Sequence, residues 1–288
     1  MGEQRGAVVV TGASSGIGKA CALALDKLGH RVFAGVRKEA DGKALAAQAS
    51  PGLTPVILDV ADEGSIAAAA RAVADALAGA PLLGLVNNAG IAVAGPQEFL
   101  ALADWRRQFE VNVFGVVAVT RAFLPLLRRA ERRARIVNMS SISGRVAAPF
   151  LGPYAASKHA LEALTASLRL ELHPWGIHAA TIEPGSVLTP VWDKAEKELG
   201  PAMARLPPEA RERYGAASEA YSKKLFARAR KEGCPPERVA EAVVHALTAR
   251  RPRRRYLVGA DARAVTALRW LVSDRVFEGI VLRDAGLA

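Results

Sequence analysis

Short runs of Val, Ile and Leu alternate along the chain with longer stretches in which apolar residues recur at helical spacing. A continuous apolar run suits a strand buried on both faces, and its alternation with helices is the pattern of βαβ units around a parallel sheet. Strands are predicted at residues 7–11, 31–36, 54–58, 83–87, 135–140, 178–183 and 256–259, about seven for one sheet. Helical periodicity covers residues 17–28, 63–77, 104–129, 154–172 and 236–249. The expected fold class is α/β, a doubly wound parallel sheet with helices on both faces.

Two segments depart from this alternation. Residues 190–235 are polar and mostly helical in period, interrupted by Pro201, Pro207 and Pro208, with too few apolar positions for a core of their own. An insertion of that kind after a late strand reads as a substrate lid, so residues 1–288 are expected to form one domain with 190–235 as its lid. Residues 262–287 place Leu, Val and Trp270 at helical spacing among Arg and Asp. A docking helix, a subunit contact and a membrane-surface helix all fit, and packing on the parent domain is favoured.

The chain has 288 residues, 51% of them hydrophobic, enough for a large core and incompatible with disorder. Its 25 Gly and 16 Pro follow no collagen or solenoid period. Cys21 and Cys234 stand alone, suggesting neither a disulfide framework nor a zinc site and favouring the reduced cytoplasm. No uninterrupted apolar stretch approaches about 18 residues, so neither a membrane span nor export is expected. The formal charge is +11, with Arg128, Arg129, Arg132, Arg133 and Arg135 in one cluster and Arg250, Arg251, Arg253, Arg254 and Arg255 in another. Each falls between a predicted helix and an apolar strand, where a helix C-terminus accepts cations. No aromatic residues interleave for base stacking, so solvated helix ends are preferred over a nucleic-acid surface.

Gly-rich sequence follows the first strand, Thr11-Gly12-Ala13-Ser14-Ser15-Gly16-Ile17-Gly18, and runs directly into a helical pattern. Such a loop turns sharply and lets backbone N–H groups and a helix N-terminus approach a pyrophosphate, as in a Rossmann-type dinucleotide site. The second strand ends Val36-Arg37-Lys38. An acidic residue there would bond a ribose hydroxyl, whereas Arg37 suits a 2′-phosphate, which favours NADP(H) and leaves NAD(H) possible. Alternatively, Arg37 and Lys38 begin a polar loop that Glu39 and Asp41 continue.

Tyr154 and Lys158 stand four residues apart, on one face of a helix. A phenol with a pKa near 10 becomes a proton donor or acceptor at neutral pH only if a cation supports its anion, and Lys158 can supply that cation. In isolation such a pair is usually a solvated helix face. His30, His159, His173, His178 and His245 are scattered singles, and no cluster suggests a metal.

Taken together, these elements resemble the short-chain dehydrogenase/reductase family from residue 7 to about 189. They are Thr11 to Gly18, Asp59-Val60, Asn87-Asn88-Ala89-Gly90, Asn112, Ser141, Tyr154 with Lys158, and Pro184-Gly185 with Thr189. The resemblance implies a catalytic set of Asn112, Ser141, Tyr154 and Lys158. Tyr154 would be the general acid/base, Ser141, thirteen residues before it, would orient the reacting oxygen, and Asn112 would anchor a water. Lys158 would depress the tyrosine pKa and hold the coenzyme ribose. The implied coenzyme site comprises Gly12, Ser14, Ser15, Gly16, Ile17, Gly18, Arg37, Asp59, Val60, Asn88, Ala89, Gly90, Tyr154, Lys158, Pro184, Gly185, Val187 and Thr189. Within it, Asp59 would contact adenine, Asn88 a ribose and Thr189 the carboxamide.

The wording of residues 143–154 and 173–177 resembles the retinol- and hydroxysteroid-dehydrogenase-like branch. Phe150, Leu151 and Trp192 stand with Ser141 and Tyr154 where that family builds its substrate pocket, although core packing explains the three apolar residues equally. The expected substrate is a small lipophilic secondary alcohol or ketone, or a retinoid- or steroid-like alcohol, and a homo-oligomer, dimer or tetramer, is expected by the same resemblance. An acyl-carrier thioester ketoreductase, docking an acidic carrier on the basic clusters, and a non-catalytic dinucleotide-binding regulator are the alternatives.

Overall fold

A computed structural model describes residues 6–131 and 133–287; Arg132 of the first basic cluster lies outside the described residues. The chain opens with β1 (Ala7–Val10), α1 (Gly16–Lys27) and β2 (Arg31–Val36), and continues through α2 (Glu39–Ala46), β3 (Leu53–Ile57), α3 (Glu63–Leu77) and β4 (Leu82–Asn87). Next come α4 (Leu102–Phe109) and α5 (Gly115–Arg128), joined by a π turn over Glu110–Phe114, then β5 (Arg135–Met139), α6 (Gly152–Glu171) and β6 (His178–Pro184). The last part holds α7 (Val191–Arg205), α8 (Pro208–Ala210), α9 (Ala216–Glu232), α10 (Pro236–Thr248), β7 (Arg255–Val258), α11 (Ala260–Leu271) and α12 (Asp274–Ala285).

All seven strands pair in parallel in the order β3-β2-β1-β4-β5-β6-β7. The strand order reverses direction between β1 and β4, so the loops leaving their carboxyl ends part and open a crevice there. Successive side chains of a strand point to opposite faces. Val8 and Val10 accordingly join Leu25, Val86 and Val243 under α1 and α10, while Val9 joins Phe33, Leu85, Phe123 and Leu127 under α3 and α5. Each such side chain, fully buried, stabilises the fold by about 1.5–3 kcal/mol. This double covering is why the strands read as unbroken apolar runs.

The strand ends differ from the sequence expectation by one or two residues, and α2, which that expectation leaves as polar loop, is a helix with only Gly42 and Leu45 buried. So narrow an apolar face carries almost no periodic signal. The long helix expected at 104–129 is continuous from Leu102 to Arg128 but widens in the π turn. By length and composition this run could cross a membrane, yet half of its apolar window is buried inside the protein. Residues 190–235 form α7, α8 and α9, with Pro201 inside α7. At the C-terminus, Ala262 and Phe277 pack inward, but Trp270 and Leu271 are 85% and 82% exposed, so Trp270 does not pack on the parent domain as its spacing suggested. It falls at the end of α11, where the chain turns into α12, and the turn carries it off the packed face.

Candidate active site

The loop after β1 is held from three sides. Ala13 N–H donates to Gly35 O (2.9 Å), tying the loop to β2, and Thr11 N–H donates to Val86 O of β4 (2.9 Å). The Thr11 hydroxyl accepts from the backbone of Asn88 and Ala89, both at 3.0 Å, and Asn88 Nδ2 donates to the Thr11 and Gly12 carbonyls at 3.0 and 3.1 Å. Gly12 has φ +65°, and a Cβ there would lie 2.8 Å from Ala89 Cα; one on Gly18 would lie 2.2 Å from Gly12 O. Neither position admits a side chain without moving backbone. At the start of α1, Ser15 makes no side-chain cap bond, in contrast to α3, where Asp62 Oδ1 accepts from Gly64 N–H (2.8 Å) and Ser65 N–H (3.1 Å). The first-turn N–H groups of α1 are thus left uncapped beside exposed Ser14 and Ser15, a fit for a pyrophosphate.

Around this cradle stand the other residues assigned to the coenzyme. Arg37 is exposed just past β2, and Asp59, half-buried after β3, uses Oδ1 to accept from Ala61 N–H (3.0 Å). Val60 packs against Gly115. Asn88 braces the loop through Nδ2. From the end of β6, the Thr189 side chain lies across from Gly16, 3.2 Å from where a Cβ would stand. Gly185 N–H donates to Val258 O (2.9 Å), and Asp261 accepts from Ser186 N–H (2.6 Å), which fixes the turn after Pro184. Val187 is buried and bridges to Cys234.

Asn112, Ser141, Tyr154 and Lys158 converge at the carboxyl ends of β4 and β5. The π turn carries Asn112 into the protein, where Oδ1 accepts from Ile91 N–H (2.9 Å) and Nδ2 donates to Ile91 O (3.0 Å) and Ser157 Oγ (3.2 Å). Gly90 lies between Asn112 Oδ1 and Lys158 Nζ, 3.3 and 3.8 Å from its would-be Cβ. Ser141 accepts from Ser143 N–H (3.1 Å), and its hydroxyl bonds to Tyr154 and favours the ionised form of the phenol. Lys158 Nζ donates to Met139 O (2.7 Å) and stands 5.7 Å from the Tyr154 ring centre.

Burial lowers the Lys158 pKa to about 8, opposed by the charge of Glu162. Burial also raises the Tyr154 pKa above its usual value, with Ser141 pulling it down. Without coenzyme, desolvation of the phenolate is the larger influence on Tyr154 and the Ser141 hydroxyl the smaller, opposing one.

Several supporting residues escape a reading of motifs. Gln108 accepts from Val93 N–H (2.6 Å) and donates to Ile91 O (2.9 Å), holding the segment that Asn112 also holds. Asn87 Nδ2 donates to Asn138 Oδ1 (2.8 Å), and Asn138 Nδ2 donates to Thr165 Oγ1 (2.8 Å), a buried polar chain beneath the site. Asn87 opens a motif already singled out, whereas Gln108, Asn138 and Thr165 belong to none of those motifs.

Phe150, with φ +64°, is a bulky residue in the left-handed region, a strained position of the kind found beside ligand sites. Its ring packs on Tyr221 of α9 (6.0 Å). Leu151 is half-buried at the start of α6. Trp192 donates Nε1–H to Val187 O (2.7 Å) and packs on Phe226 (6.2 Å), so it anchors the segment after β6. Among the described residues, no group of three His, Cys, Asp or Glu side chains is placed to hold a metal.

A parallel sheet with an open glycine cradle at its switch point, and a Ser-Tyr-Lys group beside it, defines an NAD(P)-dependent oxidoreductase. Residues 6–200 match the short chain dehydrogenase family. Human retinol dehydrogenase 5 is 40% identical over 269 residues, 92% of this chain and 82% of that protein. The NADPH-dependent 3-dehydrocapnine reductase of Ornithobacterium rhinotracheale is 34% identical over 281 residues, 96% of each chain. The crystal structure of a short chain dehydrogenase/reductase from Burkholderia phymatum, in complex with NAD, superposes with a TM-score of 0.77 at 29% identity, covering 94% of this chain and 95% of that one. The chain belongs to the short-chain dehydrogenase/reductase family, in its retinol-dehydrogenase-like branch.

Proposed function

We propose that the protein interconverts a lipophilic secondary alcohol and its ketone with NADP(H), and that Tyr154 is the general acid/base. The observation that carries this reading is the convergence of Ser141, Tyr154 and Lys158 beside the glycine cradle. A bound nicotinamide coenzyme supplies or accepts the hydride. The chain's own residues handle the oxygen and its proton. Ser141, oriented by the Ser143 N–H that one of its lone pairs accepts, donates a hydrogen bond to the substrate oxygen. Tyr154 takes the alcohol proton in oxidation and returns it in reduction. Lys158 offsets the charge that forms on the phenolate, and Asn112, through Ile91, holds the neighbouring backbone and positions a water.

Support for NADP(H) comes from the exposed Arg37 at the end of β2, where a 2′-phosphate would meet it. Support for a lipophilic substrate comes from Phe150 and Leu151 before α6 and from Tyr221 of α9 packed on Phe150. Residues 190–235 then act as the lid. Exposed Phe114, Val117 and Leu164 on the helices near the site support a homo-oligomer formed through those faces. Docking of an acyl carrier on the basic clusters is disfavoured, since Arg135 and Arg255 begin β5 and β7, at the ends of the strands opposite the cleft.

The test is nicotinamide absorbance against a panel of lipophilic secondary alcohols and ketones. Tyr154→Phe is expected to lower kcat by about 10²–10⁴ while coenzyme still binds. Binding of coenzyme with no turnover across the panel would overturn the assignment.

A further inference from the structure

Behind the site lies a buried ionic cluster that the proposed chemistry does not use. Glu183 of β6 has a side chain only 1% exposed, and Arg145 grips it with two bonds, Nε to Oε2 at 2.7 Å and Nη2 to Oε1 at 2.9 Å. Glu162 of α6, with a side chain 12% exposed, lies 3.9 Å from Arg145 Nη2. The Thr181 hydroxyl bridges the carboxylates, 3.2 Å from Glu162 Oε2 and 3.1 Å from Glu183 Oε1.

Glu162 follows Lys158 by one helical turn, and Lys158 follows Tyr154 by one, so the three share a face of α6. The loop that begins with Ser141 presses on the same place. A Cβ on Gly144 would stand 2.9 Å from Ser140 Oγ, 3.1 Å from Glu162 Cγ and 3.1 Å from Lys158 O.

Charge counting gives the cluster its meaning. One buried and one partly buried carboxylate face one partly buried guanidinium, and an unpaired buried charge is strongly unfavourable. Arg145 balances one of them. Arg255, 3.9 Å from Glu183, is half out in solvent, and the cations that feel the Glu162 charge from α6 itself are Lys158, one turn before it, and Arg169. Ser140, just past β5, lies against Glu162, and among the described residues Ser140 Oγ and Glu162 Oε1 are both buried without a hydrogen bond of ordinary geometry.

We propose that Glu162 is a positioning residue that holds Lys158 as an ammonium, with the Arg145–Glu183 pair locking the Ser141 loop against it. The inference rests on the functional reading above. In reverse, burial and Glu183 raise the Glu162 pKa while Arg145, Thr181 and Ser140 lower it, so its charge depends on those partners remaining in place.

The test is a titration of the full-length protein labelled with [ε-¹³C]lysine, followed by NMR from about pH 6 to 11, a range that includes free lysine. Lys158→Met identifies the Lys158 resonance, expected to titrate near 8 in the parent protein. Glu162→Gln should move that midpoint down by about one pH unit, the effect of removing a nearby opposite charge. Glu162→Asp should restore most of it. Thr181→Val, which removes one support of the carboxylate, should shift it the same way by less, and decides the matter if Glu162→Gln does not fold. An unchanged midpoint in the folded variant overturns the proposal. Alcohol oxidation by the same variants should lose activity at lower pH on its alkaline side. A shifted lysine in a protein that oxidises no alcohol would leave this inference standing and remove the functional reading instead; turnover with an unshifted lysine would do the opposite.

Discussion

At the scale of single residues, Lys158 carries the sharpest pH consequence. Its pKa of about 8 in the folded chain lies below the unfolded value of about 10.4, so the unfolded state binds more protons between those limits. The penalty of burying the ammonium is fully present below about pH 8 and is relieved as pH rises toward 10.4. The melting temperature of the parent protein should therefore rise relative to Lys158→Met across that interval, measured by calorimetry without coenzyme. Arg37 makes a second prediction. Arg37→Asp should weaken NADPH binding by tenfold or more and favour NADH, as read by fluorescence titration, because a carboxylate repels a 2′-phosphate and accepts a ribose hydroxyl. An unchanged preference would remove Arg37 from the phosphate site. These residues were legible as members of motifs. The Arg145–Glu183–Glu162 cluster was not, since its members lie in three elements and no sequence interval links them.

Among elements, the loop between β1 and α1 and the π turn decide what the sheet can hold. Gly18→Ala places a methyl group 2.2 Å from Gly12 O and should abolish coenzyme binding while leaving the sheet intact, checked by titration and far-UV circular dichroism. Helix α3 offers a plain measure of local stability. Its N-cap Asp62 accepts from Gly64 and Ser65 N–H at 2.8 and 3.1 Å, so Asp62→Ala should lose about 1 kcal/mol, read by urea denaturation. The sequence pattern marks α3 and α10 because each buries a continuous apolar stripe, and α6 although Ser157, Lys158 and Thr165 interrupt its buried face. It passes over α2, whose buried face is two residues, and it cannot mark the π turn, whose extra residue per turn follows from Asn112 reaching Ile91.

For the whole molecule, the ends of the two basic clusters at Arg135 and at Arg254 and Arg255 meet on one surface. Arg135, His178 and Arg255 begin the neighbouring strands β5, β6 and β7, with Arg169 and Arg254 beside them. Burial depresses the His178 pKa, and the charges of Arg135, Arg169 and Arg254 depress it further. Like charges held together destabilise the compact state and are screened by salt. Raising ionic strength from low to physiological should therefore raise the melting temperature, and Arg254→Glu should reduce that salt dependence; a salt-independent transition would show the repulsion to be negligible. Helix C-termini close to this surface explain how the chain tolerates it.

The sequence by itself determined the parallel sheet and its double helical cover, and its motifs singled out Ser141, Tyr154 and Lys158, because periodic burial and motif spacing are properties of residues close along the chain. Tertiary structure decided the rest. It turned Trp270 outward, set Phe150 on Tyr221 and placed Glu162 behind Lys158, since each depends on which distant elements meet and how much water is left between them. Desolvation of Tyr154 and Lys158 belongs to that second group: a charge loses its water only when the surrounding elements have packed around it.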